Sequence, residues 1–408
     1  MTTSKTKTTG KQNIIQATPV TVSLHDLERN TIPFSTLVAA FGPDSLGILV
    51  VKDLPREFSR LRSKVLADAS RLAALAPEKL QKLTNPTAKY LVGWSHGVET
   101  LRPGVVDTAK GSYYVNCAFY QNNGEKTSES TSGSESQKDF AEYTAPNIWP
   151  DDRDIPGFQN DVTSLITLII DTAVLVARAC DRFAENQHIP SYQPGYLERV
   201  VRTSTTTKAR LLHYFPLEQD STDPAADATD QDEQGSVSDT WCTTHLDHGC
   251  LTGLTSAMFI DESLSNQDPA ESEPGIIIPN VGLELPSSPD PSSGLYIVSR
   301  TGQICKVSIP RDCLAFQTGE ALELITKGQF KAVPHFVKGV DPNNIESSVS
   351  DDNDNNKAKE RKRKIARNTL AVFTQPNLDE VIDPETGLTF GEFASGVVKR
   401  NTADGARS

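Results

Sequence analysis

The sequence predicts an α+β fold in which a helical N-terminal region packs against a C-terminal β-fold. Residues 160–187 place apolar side chains three and four positions apart, the spacing of a helix with one face on a core. After residue 205, short segments rich in β-branched and aromatic residues alternate with turn formers. This pattern is typical of an antiparallel sandwich or barrel.

Composition divides the chain further. We expect a disordered tail at 1–16, a helical region with substrate-side loops at 17–204, a β-domain at 205–380 and a C-terminal segment at 381–408. Three stretches of the β-domain are polar and rich in acidic or Pro and Ser residues. Because such stretches bury little apolar surface, we expect them to be disordered insertions. They are residues 217–239, 261–293 and 338–364.

Charge and cysteine usage narrow the possible functions. The net charge of −13 argues against a nucleic-acid partner, which would require a basic face. We found no uninterrupted apolar run of eighteen residues, so we expect no membrane-spanning helix. The polar N-terminus and scattered cysteines without a CxxC pair favour the cytoplasm. The basic run 357–364 is typical of a solvated charge run or a nuclear-import signal, so the nucleus is a second expectation.

The segment WCTTHLDHGC, residues 241–250, contains the strongest candidate for a metal site. If residues 241–248 form a strand, His245 and Asp247 point to one face and His248 points to the other. A third ligand is needed, and His335 on another predicted strand is the best candidate. Two histidines and one carboxylate form the facial triad of non-haem Fe(II) oxygenases. The alternative is a chance H-x-D pattern on an ordinary strand.

The surrounding segments resemble the 2-oxoglutarate- and Fe(II)-dependent oxygenases of the isopenicillin N synthase-like branch. HLDHGCLTGL is similar to the family's H-x-D-x-G-x-L-T stretch, and LLHYFP to the strand before it. The resemblance implies a double-stranded β-helix core, a cupin-like jelly roll, with Fe(II) held by His245, Asp247 and His335. Further family positions follow in order at Gly294-Leu295, Pro310, Gly319-Glu320, Leu322, Thr326-Lys327-Gly328 and His335.

The resemblance also implies a site for 2-oxoglutarate as co-substrate. The family's R-x-S motif corresponds to Arg367-Asn368-Thr369, so Arg367 and Thr369 would bind the far carboxylate of 2-oxoglutarate. Thr replaces Ser here, and the 338–364 segment lengthens the distance from the distal histidine. Family members often place Tyr directly before the Pro of the LLHYFP strand. Here Phe215 takes that place, so Tyr214 either contacts the co-substrate or packs in the core.

The function implied is that of a 2-oxoglutarate-dependent dioxygenase. It would oxidise, most simply hydroxylate, a small organic molecule with O₂ and release succinate and CO₂; desaturation and ring closure remain open. Two alternatives keep the same fold or ligands: a catalytically silent binding or scaffold protein, and a zinc hydrolase. The sequence leaves the substrate and the oligomeric state undetermined.

Overall fold

The computed structural model describes residues 15–102, 105–122, 140–217, 241–264, 276–278, 281–345 and 362–401. The helices are α1 (Leu24–Glu28), α2 (Phe34–Phe41), α3 (Arg56–Ala73), α4 (Pro77–Lys82), α5 (Ala141–Thr144), α6 (Phe158–Asn186), α7 (Tyr196–Thr203), α8 (Glu320–Ile325) and α9 (Phe390–Asn401). The strands are β1 (Ile15–Ala17), β2 (Val20–Ser23), β3 (Ile48–Lys52), β4 (Gly93–His96), β5 (Thr100–Arg102), β6 (Val105–Val106), β7 (Lys110–Asn116), β8 (Lys208–Tyr214), β9 (Cys242–His245), β10 (Leu251–Thr255), β11 (Met258–Asp261), β12 (Ile276–Ile278), β13 (Gly282–Glu284), β14 (Gly294–Val298), β15 (Ile304–Val307), β16 (Leu314–Thr318), β17 (His335–Lys338), β18 (Ile365–Thr374), β19 (Val381–Asp383) and β20 (Leu388–Thr389).

Two sheets dominate the described residues. The smaller sheet has the strand order β1-β15-β14-β17-β9. The larger one has the order β12-β13-β11-β18-β10-β16-β3-β2, and β8, β7 and β4 continue it from the other side of β18. β18 is ten residues long and buried along nearly its whole length. It pairs with β8 along one edge and with β10 and β11 along the other, so it is central to the sheet.

Helices α3 and α6 cover one face of the large sheet. α6 spans Phe158–Asn186 and confirms the long helix predicted at 160–187. Its buried face packs on α3, α7, β10 and β18. By length and composition alone α6 could cross a membrane, but 61% of its most apolar window is buried inside the protein. Packing in the core therefore accounts for its apolar residues.

The predicted division at residue 204 is not a structural boundary. Strands β2 and β3 extend one side of the large sheet, because β3 pairs with β16. β4 and β7 extend the other side, because β7 pairs with β8 along its whole length. The region before residue 205 therefore supplies strands as well as helices. Local sequence pattern does not determine which distant segments pair in one sheet, so the prediction did not join them to the β-fold.

The segment 261–293 also differs from the prediction of a disordered insertion. Its described residues include β12 and β13, which pair with each other. Asp290 is buried, and its carboxylate accepts hydrogen bonds from the backbone of Ser292 and of Asp341. These hydrogen bonds and the burial of Val281, Leu283 and Leu285 together order the described residues. The predicted tail up to residue 14 and most of the other two insertions lie outside the described residues.

The basic run ends in a buried ion pair. Arg363 Nε donates to Asp261 Oδ2 over 2.9 Å, and the Asp261 side chain is fully buried. Asp261 also accepts from the backbone of Lys364. The end of the run is therefore fixed beside the start of β18, whereas residues 357–361 lie outside the described part.

Arg62 is the main polar anchor of α3. Its guanidinium donates to Ser256 Oγ over 2.6 Å and to Glu284 Oε1 over 3.3 Å, and both members of the ion pair are 2% exposed. We expect Arg62→Met to lower the free energy of unfolding by about 3 kcal/mol, because it leaves buried acceptors unpaired. Urea denaturation followed by circular dichroism measures this change. Arg60→Met on the same helix is the control, since Arg60 is 61% exposed and should cost less than about 1 kcal/mol.

His213 makes the stability depend on pH. Burial is the main cause that lowers its pKa to about 4, although its hydrogen bond with Asn368 opposes this effect. An unfolded chain binds the proton near pH 6.5, so the unfolded state holds more protons between pH 6.5 and 4. We therefore expect roughly 3 kcal/mol of stability, present above pH 6.5, to be lost as the pH falls to 4. His213→Gln should flatten this part of the stability curve, whereas His25→Gln, at an exposed position, should leave it unchanged.

Candidate metal centre

Three side chains from two strands and a turn converge on one point. His245 ends β9, His335 begins β17, and the two residues are direct partners in the antiparallel register. Potential ligand atoms of His245, Asp247 and His335 all lie within 4.8 Å of one another. Each imidazole Nε2 is 3.9 Å from an oxygen of Asp247. Among the described residues, this group meets the spacing required of a metal site.

Asp247 lies in the connection after β9, outside the strand itself. The strand predicted at 241–248 ends at His245. The carbonyl of Asp247 accepts from the backbone of Glu320 over 2.8 Å, which fixes this connection against the start of α8. Gly319 allows this approach, since a Cβ there would lie 2.3 Å from the carbonyl oxygen of Gly249. Close backbone packing therefore positions the carboxylate.

His248 lies outside the group. Its Nδ1 is 2.5 Å from Glu320 Oε2, so the ring is paired with a carboxylate on α8. The two histidines of WCTTHLDHGC thus lie in separate environments. His245 faces the group of potential ligands, and His248 connects the segment after β9 to α8.

The hydrogen bonding of His245 suits a metal ligand. Its Nδ1 is 2.8 Å from the carbonyl oxygen of Thr243. A carbonyl only accepts, so this contact places a proton on Nδ1 and makes Nε2 the nitrogen available to a metal. Nε2 is the atom that faces Asp247. The backbone of β9 therefore selects the tautomer that can bind a metal.

Asp247 is a buried anion with an unsatisfied oxygen. Within the described part of the chain, its Oδ2 has no hydrogen-bond partner. Burial opposes ionisation, but His335 and His245 hold the pKa of Asp247 below its ordinary value. A buried carboxylate without enough donors is costly unless a cation or further donors compensate it. The residues present therefore fit a divalent metal ion.

Arg367 is a buried cation with two unsatisfied donor nitrogens. It lies on β18, and no acceptor among the described residues is within hydrogen-bonding range of its Nε or Nη1. Burial lowers the pKa of Arg367, and the Tyr214 ring lies 5.0 Å from the guanidinium carbon. Thr369, two residues along β18, is 3.4 Å from Thr255 by its hydroxyl oxygen. A buried guanidinium in this state fits a carboxylate ligand.

These residues share one cavity of about 520 Å³, a size within the range of small-molecule sites. The cavity brings together all the site residues predicted from the sequence, which are His245, Asp247, His335, Arg367, Thr369 and Tyr214. Tyr214 is 3% exposed and packs on Trp241, with ring centroids 5.4 Å apart. The structure therefore shows its packing role directly.

Sequence reasoning missed several other residues that line the cavity. Arg210 and Cys242 are two of them. Arg210 lies two and four residues before Leu212 and Tyr214 on β8, so strand periodicity places all three on one face. This alternation was visible in the sequence. Its meaning, however, depends on the pairing of β8 with β18, which the sequence pattern does not show.

Comparison with known proteins identifies the class of fold. No protein-family model and no curated protein matches the chain. Solved structures of 2-oxoglutarate- and iron-dependent oxygenases do match it, at low sequence identity. The fold of this chain is therefore the fold of those oxygenases.

Three of these structures are particularly informative. A full-length Neurospora crassa protein, in complex with alpha-KG and 5-formyluracil, is 16% identical with a TM-score of 0.56, over 94% of this chain and 95% of that one. A 2OG-Fe(II) oxygenase family protein from Caulobacter crescentus is 16% identical with a TM-score of 0.59, over 96% and 99%. JOX2, in complex with 2OG, Fe and JA, is 11% identical with a TM-score of 0.54, over 95% and 86%.

The geometry predicts which histidine matters for metal binding. We expect His245→Gln to weaken Co(II) binding by at least about 10-fold, because one of three converging donors is lost. His248→Gln should change the affinity less than about 3-fold, since His248 pairs with Glu320 away from the group. Titration of the apoprotein with Co(II), followed by its visible absorption, measures both. Equal losses in the two variants would contradict the assignment of His245.

Proposed function

We propose that this protein is an Fe(II)- and 2-oxoglutarate-dependent dioxygenase that oxidises a small organic molecule. The observation that carries the proposal is that one cavity holds both a His-Asp-His group and a buried guanidinium with two unsatisfied donor nitrogens. The first fits a divalent metal and the second fits a carboxylate. Isopenicillin N synthase-like relatives remain our proposed branch, on the motifs alone.

The strand order supports a double-stranded β-helix, or jelly roll, as the core. β8, β18, β10 and β16 belong to the large sheet, whereas β9, β17, β14 and β15 belong to the small one. Along the chain, β8 is followed by β9 in the other sheet, β10 returns to the first sheet, and β16, β17 and β18 alternate again. Such winding between two antiparallel sheets is what a jelly roll requires.

His245, Asp247 and His335 would hold the iron on one side and leave adjacent positions open. When bound, Fe(II) would activate O₂, which oxidises both 2-oxoglutarate, to succinate and CO₂, and the substrate. The chain's own contribution is positioning. Thr243 orients His245, and burial of Asp247 and His335 keeps bulk water from two of the ligands.

Arg367 and Thr369 would bind the far carboxylate of 2-oxoglutarate. Both side chains face the cavity from alternate positions of β18. The Tyr214 ring against the guanidinium limits its movement, so the donors stay directed at the cavity. In this proposal Tyr214 positions Arg367 and does not itself contact the co-substrate.

The two alternative functions explain less. A zinc hydrolase would use the three ligands but leave two buried donor nitrogens of Arg367 without an acceptor. A silent scaffold would have no need of donor atoms that converge within 4.8 Å. Neither alternative accounts for both halves of the cavity.

An anaerobic titration tests the function directly. We expect Fe(II) and 2-oxoglutarate together to give a weak visible charge-transfer band, and each alone to give none. Admission of O₂ should then produce succinate in proportion to 2-oxoglutarate consumed, measured by liquid chromatography with mass detection. Absence of both the band and succinate would exclude the proposed function. Zn(II)-dependent hydrolysis in their place would favour the hydrolase.

Arg367 provides a test of the co-substrate site. We expect Arg367→Met to weaken 2-oxoglutarate binding at least about 30-fold, which corresponds to about 2 kcal/mol for loss of a buried charge partner. Co(II) affinity should stay the same, because Arg367 is not among the converging ligands. Arg300→Met is the control, since Arg300 is 39% exposed and donates to a backbone carbonyl. Unchanged affinity for 2-oxoglutarate in Arg367→Met would contradict the assignment.

A further inference from the structure

The cavity is cationic although the protein is acidic. The chain carries a net charge of −13. The charged side chains that line the cavity are nevertheless mostly cations, and Asp247 is the carboxylate among them. A cavity with one sign of charge and low-dielectric walls concentrates ligands of the opposite sign. The cations are Arg210, Lys306, Arg311 and Arg367.

Arg210 is placed where a substrate could reach it. In the register of the large sheet, Arg210 on β8 is opposite Ala371 on β18, and both line the cavity. Cys242 and His245 line the same cavity. Arg210 is therefore a second cation on the cavity wall, four positions from Tyr214 along β8.

Its guanidinium is held in a fixed orientation. Nε donates to Ser112 Oγ over 3.0 Å, and Nη2 donates to both oxygens of Glu99 over 2.7 and 2.8 Å. The Tyr114 ring lies 5.0 Å from the guanidinium carbon. Among the described residues, no acceptor bonds to Nη1 of Arg210. A fixed guanidinium with one free edge is preorganised for an incoming oxygen anion.

Glu99 and Arg210 belong to a cluster of two carboxylates and two cations. Lys110 lies 3.2 Å from the Glu99 carboxylate, and it also pairs with Asp107. Glu99 is thus shared between two cations. Glu99, Asp107 and Lys110 are not among the residues that line the cavity, so Arg210 is the member of this cluster that faces it.

We propose that the substrate is a small organic carboxylate whose acid group binds the Nη1 edge of Arg210. This inference rests on the proposed function, because it assumes that Arg367 is occupied by 2-oxoglutarate. The acid group then pairs with Arg210, whose guanidinium is held in place by Ser112 and Glu99. Recognition of this kind disfavours neutral isosteres, which leave the Nη1 edge without an anionic acceptor.

The test uses the full-length protein loaded with Zn(II) and saturating 2-oxoglutarate. The probes are phenylacetate and hexanoate, each with its primary amide, and binding is followed by saturation-transfer NMR. We expect the acids to bind at least about 10-fold more tightly than the amides, which corresponds to about 1.4 kcal/mol. Arg210→Gln should abolish this preference. Arg311→Gln, at another cation of the cavity, should retain it.

Equal binding of acids and amides, a preference that survives in Arg210→Gln, or no binding of either acid would overturn the inference. Metal and 2-oxoglutarate binding are measured in the same samples. If both bind and the preference for acids is absent, only the substrate class is wrong. If neither binds, the proposed function fails as well.

A second inference comes from Gln317, which contacts His335. To bind a metal through Nε2, a histidine needs its proton on Nδ1 and an acceptor beside that nitrogen. The side-chain amide of Gln317 lies 2.7 Å from His335 Nδ1, whereas the carbonyl oxygen of Val333 is 3.3 Å away. Gln317 is fully buried, and its Oε1 is without a partner among the described residues when Nε2 faces the ring.

We infer that the carbonyl end of Gln317 faces His335 and accepts its Nδ1 proton. The two ends of the amide have nearly the same shape, so a half-turn about the last side-chain bond exchanges them. The exchange satisfies the buried oxygen and leaves His335 Nε2 free towards Asp247. Gln317 is then a positioning residue that fixes the metal-binding tautomer.

Substitution with Leu and Glu separates this role from simple packing. We expect Gln317→Leu to weaken Co(II) binding about 10- to 100-fold, as loss of a partner behind a ligand does. Gln317→Glu keeps an acceptor and should stay within about 3-fold of the original affinity. Gln121→Leu, at a surface glutamine bonded to backbone carbonyls, is the control.

NMR of the Co(II) protein supplies a readout that packing alone would not change. The Nδ1 protons of metal-bound histidines give strongly shifted, exchangeable signals. We expect the His335 signal to exchange faster with solvent in Gln317→Leu and to persist in Gln317→Glu. Unchanged affinity and signal in Gln317→Leu, or equal losses in the Leu and Glu variants, would overturn the inference.

Discussion

The pairing of β9 with β17 is the constraint on which the site depends. It places His245 directly opposite His335, and the rings come to 4.3 Å between centroids. A slip by one residue would turn one imidazole to the other face of the sheet. Everything else in the centre is arranged around this register. The turn after β9 delivers Asp247, and the carbonyl of Thr243 holds His245 in the useful tautomer.

The large sheet provides the second half of the cavity through the same kind of alternation. Arg367 and Thr369 point from β18 into the cavity, whereas Asn368 between them points to the helices and bonds to α3. One face of β18 thus carries the polar functional groups, and the other is tied to the core. Because β18 has partners along both edges, its side chains have little freedom to move. The proposed co-substrate site is rigid for that reason.

The sequence was most informative where short-range spacing determines the outcome. The H-x-D, distal-histidine and R-x-T motifs are each recognised from a few neighbouring residues. The structure brings their side chains to one cavity, which is lined by His245, Asp247, His335, Arg367 and Thr369. Arg210 and Gln317 could not be found in this way, because their importance depends on which strand lies beside them. Composition failed at 281–293, where three buried apolar side chains and the hydrogen bonds to Asp290 order a segment rich in Pro and Ser. It also failed for β4 and β7, which extend the large sheet only through β8.

The unpaired charges of Asp247 and Arg367 have a consequence for the lifetime of the protein. Each has buried polar atoms without a partner in the described part of the chain, which lowers the free energy of unfolding. Binding of the proposed ligands would raise it again. A ligand at a hundred times its dissociation constant adds about 2.7 kcal/mol to the stability of the folded state. Occupancy therefore lowers the fraction of molecules that open transiently to proteases. The amount of protein in a cell would then follow the supply of its ligands, without any change in its synthesis.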